Sequence, residues 1–105
     1  MPDHIYTTVD GLRVTLTERQ WLTHILPRHG EVTQVDIAHA LTASVGIYQH
    51  RTDPMRRVYQ GSPRPAGFFR GLVPLVVVAL TGTDSGTVVT AYLSPRPYRG
   101  VQRWP

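Results

Sequence analysis

Two histidines and an arginine are gathered in the stretch Trp21-Leu22-Thr23-His24-Ile25-Leu26-Pro27-Arg28-His29. Imidazole gives and takes protons near neutral pH. Guanidinium holds oxyanions through a planar fork of donors. Together they can move a proton and hold a developing negative charge, which makes the stretch a source of active-site residues. His24, Arg28 and His29 are therefore the first candidate catalytic residues. Each has a structural reading beside the chemical one. His24 can be a surface helix residue, His29 a helix-end cap or core histidine, and Arg28 a solvated charge or a partner of Glu31.

Composition narrows the choice. All 11 basic residues are arginine, set against 7 acidic ones, for a net charge of +4 and a pI near 10.1. Such a surface suits phosphate and speeds encounter with nucleic acid, although a GC-rich coding bias would also replace lysine with arginine. There are no cysteines, which removes disulfide and thiol chemistry. The five histidines follow no metal-ligand spacing, so neither a metal nor another cofactor is expected. No apolar run is long enough to cross a membrane. Met1-Pro2-Asp3-His4 has no leader pattern, and a cytoplasmic location is expected.

The elements that must position these groups follow from periodicity. A single domain is expected over 1–105, its core at about 12–93 and residues 94–105 forming a Pro-rich extended tail anchored by Trp104. Residues 4–8 read as an extended lead-in, Asp10-Gly11 as a turn, and Leu12 to Leu16 as a half-buried strand. Thr17 and Gln20 form a capping-box signal for a first helix. Trp21, Leu22, Ile25 and Leu26 would be its apolar face, and Pro27 should kink or end it near Leu26. Arg28, His29 and Gly30 would then lie on a terminal turn. Thr33 and Asp36 signal a second helix, from about Gln34 to Ala43, with Val35, Ile37, Ala38, Leu41 and Thr42 inward and His39 exposed. After Val45 the period changes to alternation. Strands are read at Val45 to Arg51, Met55 to Gln60, around Phe68-Phe69-Arg70, Leu72 to Leu80 and Thr87 to Leu93, with a hairpin loop from Thr81 to Gly86.

The expected fold is α+β. An N-terminal strand and two helices pack on one face of an antiparallel sheet of about four to five strands. The opposite face is left as a groove. Alternation assigns Thr90 and Tyr92 to that groove with Val88, and by the same logic Tyr48, His50, Arg57 and Tyr59. Hydroxyls, guanidinium and aromatic rings together suit a phosphodiester beside a stacked base.

Three features stand in a familiar order: Trp-x-x-His-Ile-x-x-Arg-His at Trp21 to His29, a Val-rich strand at Leu75 to Val78, and Val-Val-Thr-Ala-Tyr at Val88 to Tyr92. From about Leu16 to Leu93 the chain resembles the phage-borne nucleases of the barnase, EndoU and RelE-like (PBECR) superfamily, with BrnT-like toxins of related layout. The resemblance implies a metal-independent ribonuclease, often a toxin, with RNA as substrate and an antitoxin or immunity protein as partner. Such a toxin acts in its own cytoplasm or is delivered to that of a target cell. It implies His24, Arg28, His29, Thr90 and Tyr92 as catalytic residues; Tyr48 and Tyr59, assigned to the groove by alternation, are expected to bind substrate. Some members use a lysine, which this chain lacks; Arg56 or Arg57 would take its place. A non-catalytic RNA- or protein-binding module of the same fold is the second reading. A phage structural or accessory protein is the third.

Overall fold

A computed structural model describes residues 3–104. The chain is α+β, and the described residues form one seven-stranded sheet. Its strands are β1 (His4–Thr7), β2 (Arg13–Leu16), β3 (Gly46–Gln49), β4 (Arg56–Gln60), β5 (Val73–Leu80), β6 (Ser85–Ser94) and β7 (Gln102–Trp104). Their order across the sheet is β1-β2-β6-β5-β4-β3-β7. Neighbours are antiparallel except β2 and β6, which run parallel from Arg13 opposite Ser85 to Thr15 opposite Thr87. The sheet is thus mixed and wider than the four to five antiparallel strands expected. The extra width comes from the two ends of the chain. Residues 4–7 pair as a full strand, and the C-terminal tail folds back to pair on β3. Phe68-Phe69-Arg70, expected to begin a strand, lies instead in a turn. No helix among the described residues is long and apolar enough to cross a membrane.

The first helix, α1, consists of three joined pieces: Glu18–Gln20, a π-helical stretch Trp21–Ile25, and Leu26–Arg28. Thr17 caps it, its hydroxyl accepting the Gln20 N–H at 3.1 Å. Pro27 does not end the helix at Leu26. A proline has no N–H for the carbonyl four residues back, and its ring presses on that carbonyl. Widening the turn before it relieves the clash, and the Leu26 N–H bonds to the Trp21 carbonyl five residues back. The helix then continues to Arg28, and His29 leaves it with φ −135° and ψ 50°. Trp21 and Ile25 are buried, whereas Leu22 and Leu26, expected inward, are exposed. The reason lies in what covers α1. It runs along the edge of β6 that β2 leaves open beyond Thr87, and only a narrow stripe meets the core. The Gln20 side chain, expected to complete the capping box, instead donates to the Val89 carbonyl on that edge.

The second helix, α2 (Gln34–Thr42), begins at a complete capping box. The Thr33 hydroxyl accepts from the Asp36 N–H at 3.1 Å, and Asp36 Oδ2 accepts from the Thr33 N–H at 2.8 Å. Ile37, Ala40 and Leu41 face inward, while Val35 and His39 face out. Both helices cover one face of the sheet, over a core that includes Leu16, Trp21, Ile25, Ile37, Leu41, Ile47, Tyr59, Val76 and Ala91. A smaller cluster, Val58, Val73, Leu75, Val77 and Tyr98, occupies the opposite face.

Asp36 has a second duty. Its carboxylate takes the Arg64 guanidinium, which also donates to the Glu31 carbonyl at 2.9 Å. Burial alone would raise the Asp36 pKa, but the hydrogen bonds from Arg64 and Thr33 outweigh it and hold the carboxyl below its ordinary value. A depressed folded value means stability fully present above about pH 5 and lost as pH falls through the unfolded value of ~3.9 to the lower folded one. Asp36→Asn is expected to cost about 1–2 kcal/mol at neutral pH, the scale of a lost cap. The gap to wild type should close as thermal melts are taken down toward pH 3. A gap that persists unchanged in acid would mean that the carboxylate charge is not the cause.

Candidate functional site

The sheet face away from the helices holds the candidate site. Strand β6 carries a bulge there: Val77 pairs with Thr90 and Val78 with Val88, leaving Val89 as the extra residue. The bulge changes which side chains share a face. Val88, expected in the groove, joins Ala91 in the core beneath the helices, and Val89 joins Tyr92 on the opposite side. Thr90 and Tyr92 keep the groove side, opposite Val77 and Leu75. The Thr90 hydroxyl oxygen is buried and has no hydrogen-bond partner.

His29 reaches this face. Leaving α1 at its end, it places its ring 5.7 Å from that of Tyr92, tilted by 40°. Glu31 Oε1 lies 3.8 Å from His29 Nδ1, beyond hydrogen-bond length. Arg28 is exposed and forms no ion pair among the described residues; His24 is partly buried on the π-helical stretch. The structure thus brings His29 and Tyr92 into contact, sets Thr90 on the same face, and leaves Arg28 and His24 without a contact to them.

Of the residues expected to bind substrate, Tyr48 lies on this face, its ring 5.9 Å from that of Tyr98. Arg56, on the same side of β4 as Val58, is paired with Asp53 at 3.3 Å. Arg57 and Tyr59 are not in the groove. They alternate to the helix side, where Tyr59 is fully buried and Asp10 takes both. His50 is not free for the groove either. Its Nδ1 accepts the N–H groups of Thr52 and Asp53 at 3.3 and 3.2 Å and closes the turn between β3 and β4.

The C-terminal tail contributes what the sequence reading missed. Residues 95–101 return across the groove face as a strap. The Tyr98 N–H donates to Gln60 Oε1 at 3.0 Å, and its hydroxyl accepts the Arg51 N–H at 3.0 Å. The Gln49 N–H donates to the Val101 carbonyl at 2.8 Å, after which β7 pairs with β3. The strap passes so close that a Cβ on Gly100 would lie 2.8 Å from both the Gln49 carbonyl oxygen and the Tyr98 ring. Trp104, as expected, anchors the end against the main core.

Between strap and sheet lies an open cleft of about 200 Å³ lined by Arg51, Arg96, Arg99, Tyr92, Tyr98 and Ser94, among others. The Arg51 guanidinium carbon stands 5.1 Å over the Tyr98 ring, a cation–π contact that holds it in place. Among the described residues, none of these three arginines has a carboxylate within ion-pair distance. Three like charges converging without a counter-charge favour an anionic occupant. Tyr92 stands between the cleft and His29. Burial, with Tyr98 beside it, pushes the Tyr92 hydroxyl above its usual pKa, against a smaller opposing effect of Arg51. It therefore stays protonated at neutral pH and can donate to an oxyanion. The only sequence signal for this cleft was arginine and tyrosine interleaved with proline in Ser94-Pro95-Arg96-Pro97-Tyr98-Arg99. Local periodicity cannot show where such a segment lands. The chain matches no protein-family model, no curated protein and no solved structure.

Proposed function

We propose that the protein is a metal-independent endoribonuclease acting in the cleft bounded by Arg51, Arg96, Arg99 and Tyr92. The observation that carries this reading is the contact between His29 and Tyr92 at one wall of an arginine cleft with no counter-charge. The arginines hold a backbone phosphate, and the Tyr92 hydroxyl donates to one of its oxygens. His29 takes the 2′-hydroxyl proton, the 2′-oxygen attacks phosphorus, and the bond to the 5′-oxygen breaks. The leaving oxygen takes a proton from solvent, giving a 2′,3′-cyclic phosphate and a 5′-hydroxyl. Guanidinium stabilises the charge that builds on phosphorus. Thr90, Tyr48 and Arg56 share this face of the sheet without lining the cleft, and His24 and Arg28 remain on α1. A binding module that does not cleave is the second reading, favoured because only one imidazole contacts the cleft wall.

The test uses purified protein and single-stranded RNA in EDTA. Wild type is expected to cleave and leave a cyclic phosphate end, with binding that weakens steeply as salt rises. Each phosphate contact removed, as in Arg51→Ala or Arg96→Ala, should reduce the slope of log affinity against log salt by about 0.7. Steep salt dependence without cleavage would leave the binding module. Affinity that ignores salt, or slopes unchanged in both variants, would remove the cleft from the account.

A further inference from the structure

We propose that Tyr98 is the positioning residue of the cleft: its buried ring holds Arg51, Arg96 and Arg99 where one phosphate can meet them together. The inference rests on the reading that the cleft holds RNA phosphate. Among the described residues, no hydrogen bond or ion pair fixes any of the three guanidinium groups. Their place is set by what holds the chain that carries them. Arg96 stands two residues before Tyr98 and Arg99 one after, and Tyr98 is the one buried residue from Pro95 to Val101. Arg51 comes from the sheet, and Tyr98 holds it twice. The guanidinium carbon lies 5.1 Å over the ring, and the Tyr98 hydroxyl accepts the Arg51 N–H at 3.0 Å. One side chain thus links all three cations.

The seat of the ring is built for it. Tyr98 belongs to the apolar cluster of Val58, Val73, Leu75 and Val77, and its ring tilts against that of Tyr48 at 5.9 Å. Its N–H donates to Oε1 of Gln60 at 3.0 Å, and Gln60 is itself only 8% exposed. A buried side-chain amide on β4 is therefore committed to one N–H of the strap. The strap has little play around this point. Pro95 and Pro97 fix their own φ and restrict Ser94 and Arg96 before them. The Ser94 hydroxyl accepts the Arg96 N–H at 3.2 Å and donates to the Arg96 carbonyl at 2.6 Å. On the other side, Gly100 packs so near that a Cβ there would lie 2.8 Å from the Tyr98 ring. Three like charges repel one another, and burial of the ring opposes that repulsion. With the ring unseated, the arginines separate although every charge stays in the chain.

The experiment measures binding of a labelled 2′-O-methyl oligouridine, which keeps the phosphates and cannot be cleaved, across a salt series. It compares wild type, Arg51→Ala, Arg96→Ala, Tyr98→Leu, Tyr98→Phe and Gln60→Met. Tyr98→Leu removes no charge. It is nonetheless expected to lower the slope of log affinity against log salt by about 0.7 for each arginine it releases, as if that arginine had been deleted. Tyr98→Phe keeps the ring and should restore most of the lost slope. Gln60→Met leaves the strap sequence intact but takes away the acceptor of the Tyr98 N–H. Its slope should fall, and the ring-current shift of Tyr98 on the Arg51 side chain should shrink with it in NMR spectra. A folded Tyr98→Leu with the wild-type slope, while the arginine variants lower it, would overturn the positioning role and leave the cleft reading standing. A slope as low in Tyr98→Phe as in Tyr98→Leu would place the effect on the hydroxyl instead of the ring and overturn it as well. If Tyr98→Leu does not fold, Gln60→Met decides, and a wild-type slope and ring shift there would overturn the role. If wild-type binding ignores salt, or both arginine variants keep its slope, the cleft reading falls and takes this one with it.

Discussion

Replacing His29 by alanine is expected to slow single-turnover RNA cleavage in EDTA by about 10²–10⁴-fold, the usual contribution of a general acid or base. The geometry ranks the other candidates. Tyr92→Phe removes one hydrogen bond to a charged group and should cost about tenfold or more. Arg51→Ala removes a cleft cation whose guanidinium is already positioned over Tyr98. It should lower the rate more than Arg28→Ala, because Arg28 is exposed and shows no contact with the cleft residues. His24→Ala should have a smaller effect than His29→Ala for the same reason. His39, exposed on α2, is the control. Because the His29 ring packs on Tyr92, His29→Gln is the companion variant that keeps side-chain bulk without the base. Folded His29 variants that cleave at the wild-type rate would move the chemistry to other residues.

Asp10→Ala should be the most destabilising polar substitution in the molecule. The Asp10 carboxylate accepts Arg57 Nη1 at 3.0 Å and the Tyr59 hydroxyl at 3.1 Å and 3.2 Å, with the Thr8 hydroxyl as a further donor. The Thr8 oxygen in turn accepts the Leu12 N–H at 2.8 Å. Burial, helped by the Asp10 charge, pushes the Tyr59 pKa up to about 12, so its proton stays in the network throughout the working pH range. Removing Asp10 leaves a guanidinium only 20% exposed without its anion, its Nε already lacking a partner. It also leaves a hydroxyl in the core without an acceptor. Breaking a buried pair costs 3–5 kcal/mol; with both partners slightly exposed, about 3 kcal/mol is expected. At ~4–8 °C per kcal/mol for a domain near this size, Tm should fall by roughly 12–24 °C. Arg57→Leu on the Asp10→Ala background should recover part of the loss, because removing both partners leaves no orphaned charge. A Tm within ~2 °C of wild type for Asp10→Ala, less than half the shift of 1 kcal/mol, would show that the network is ornamental to stability.

By itself the sequence determined what is settled within a few residues of chain. The α2 capping box at Thr33 and Asp36, the Thr17 cap, the Val-rich β5 and its hairpin to β6 all stand where local signals put them, because their hydrogen bonds close within one turn or one ladder. The helix–sheet division near Val45 was legible for the same reason, and so was His29 at a helix end facing Tyr92. The tertiary structure decided the rest. Arg57 and Tyr59 fit the groove by alternation, yet the pleat turned them toward Asp10, 47 and 49 residues away in the chain. One extra residue at Val89 moved Val88 to the other side of the sheet. Pro27 widened its helix instead of stopping it: the Leu26 N–H reaches back five residues to the Trp21 carbonyl, in a turn whose Trp21 and Ile25 are held in the core. The strap that brings Arg96 and Arg99 to Arg51 has no period to read. Its place depends on one buried hydrogen bond from Tyr98 to Gln60, 38 residues earlier in the chain, and on a strand pairing whose partner only the folded sheet exposes.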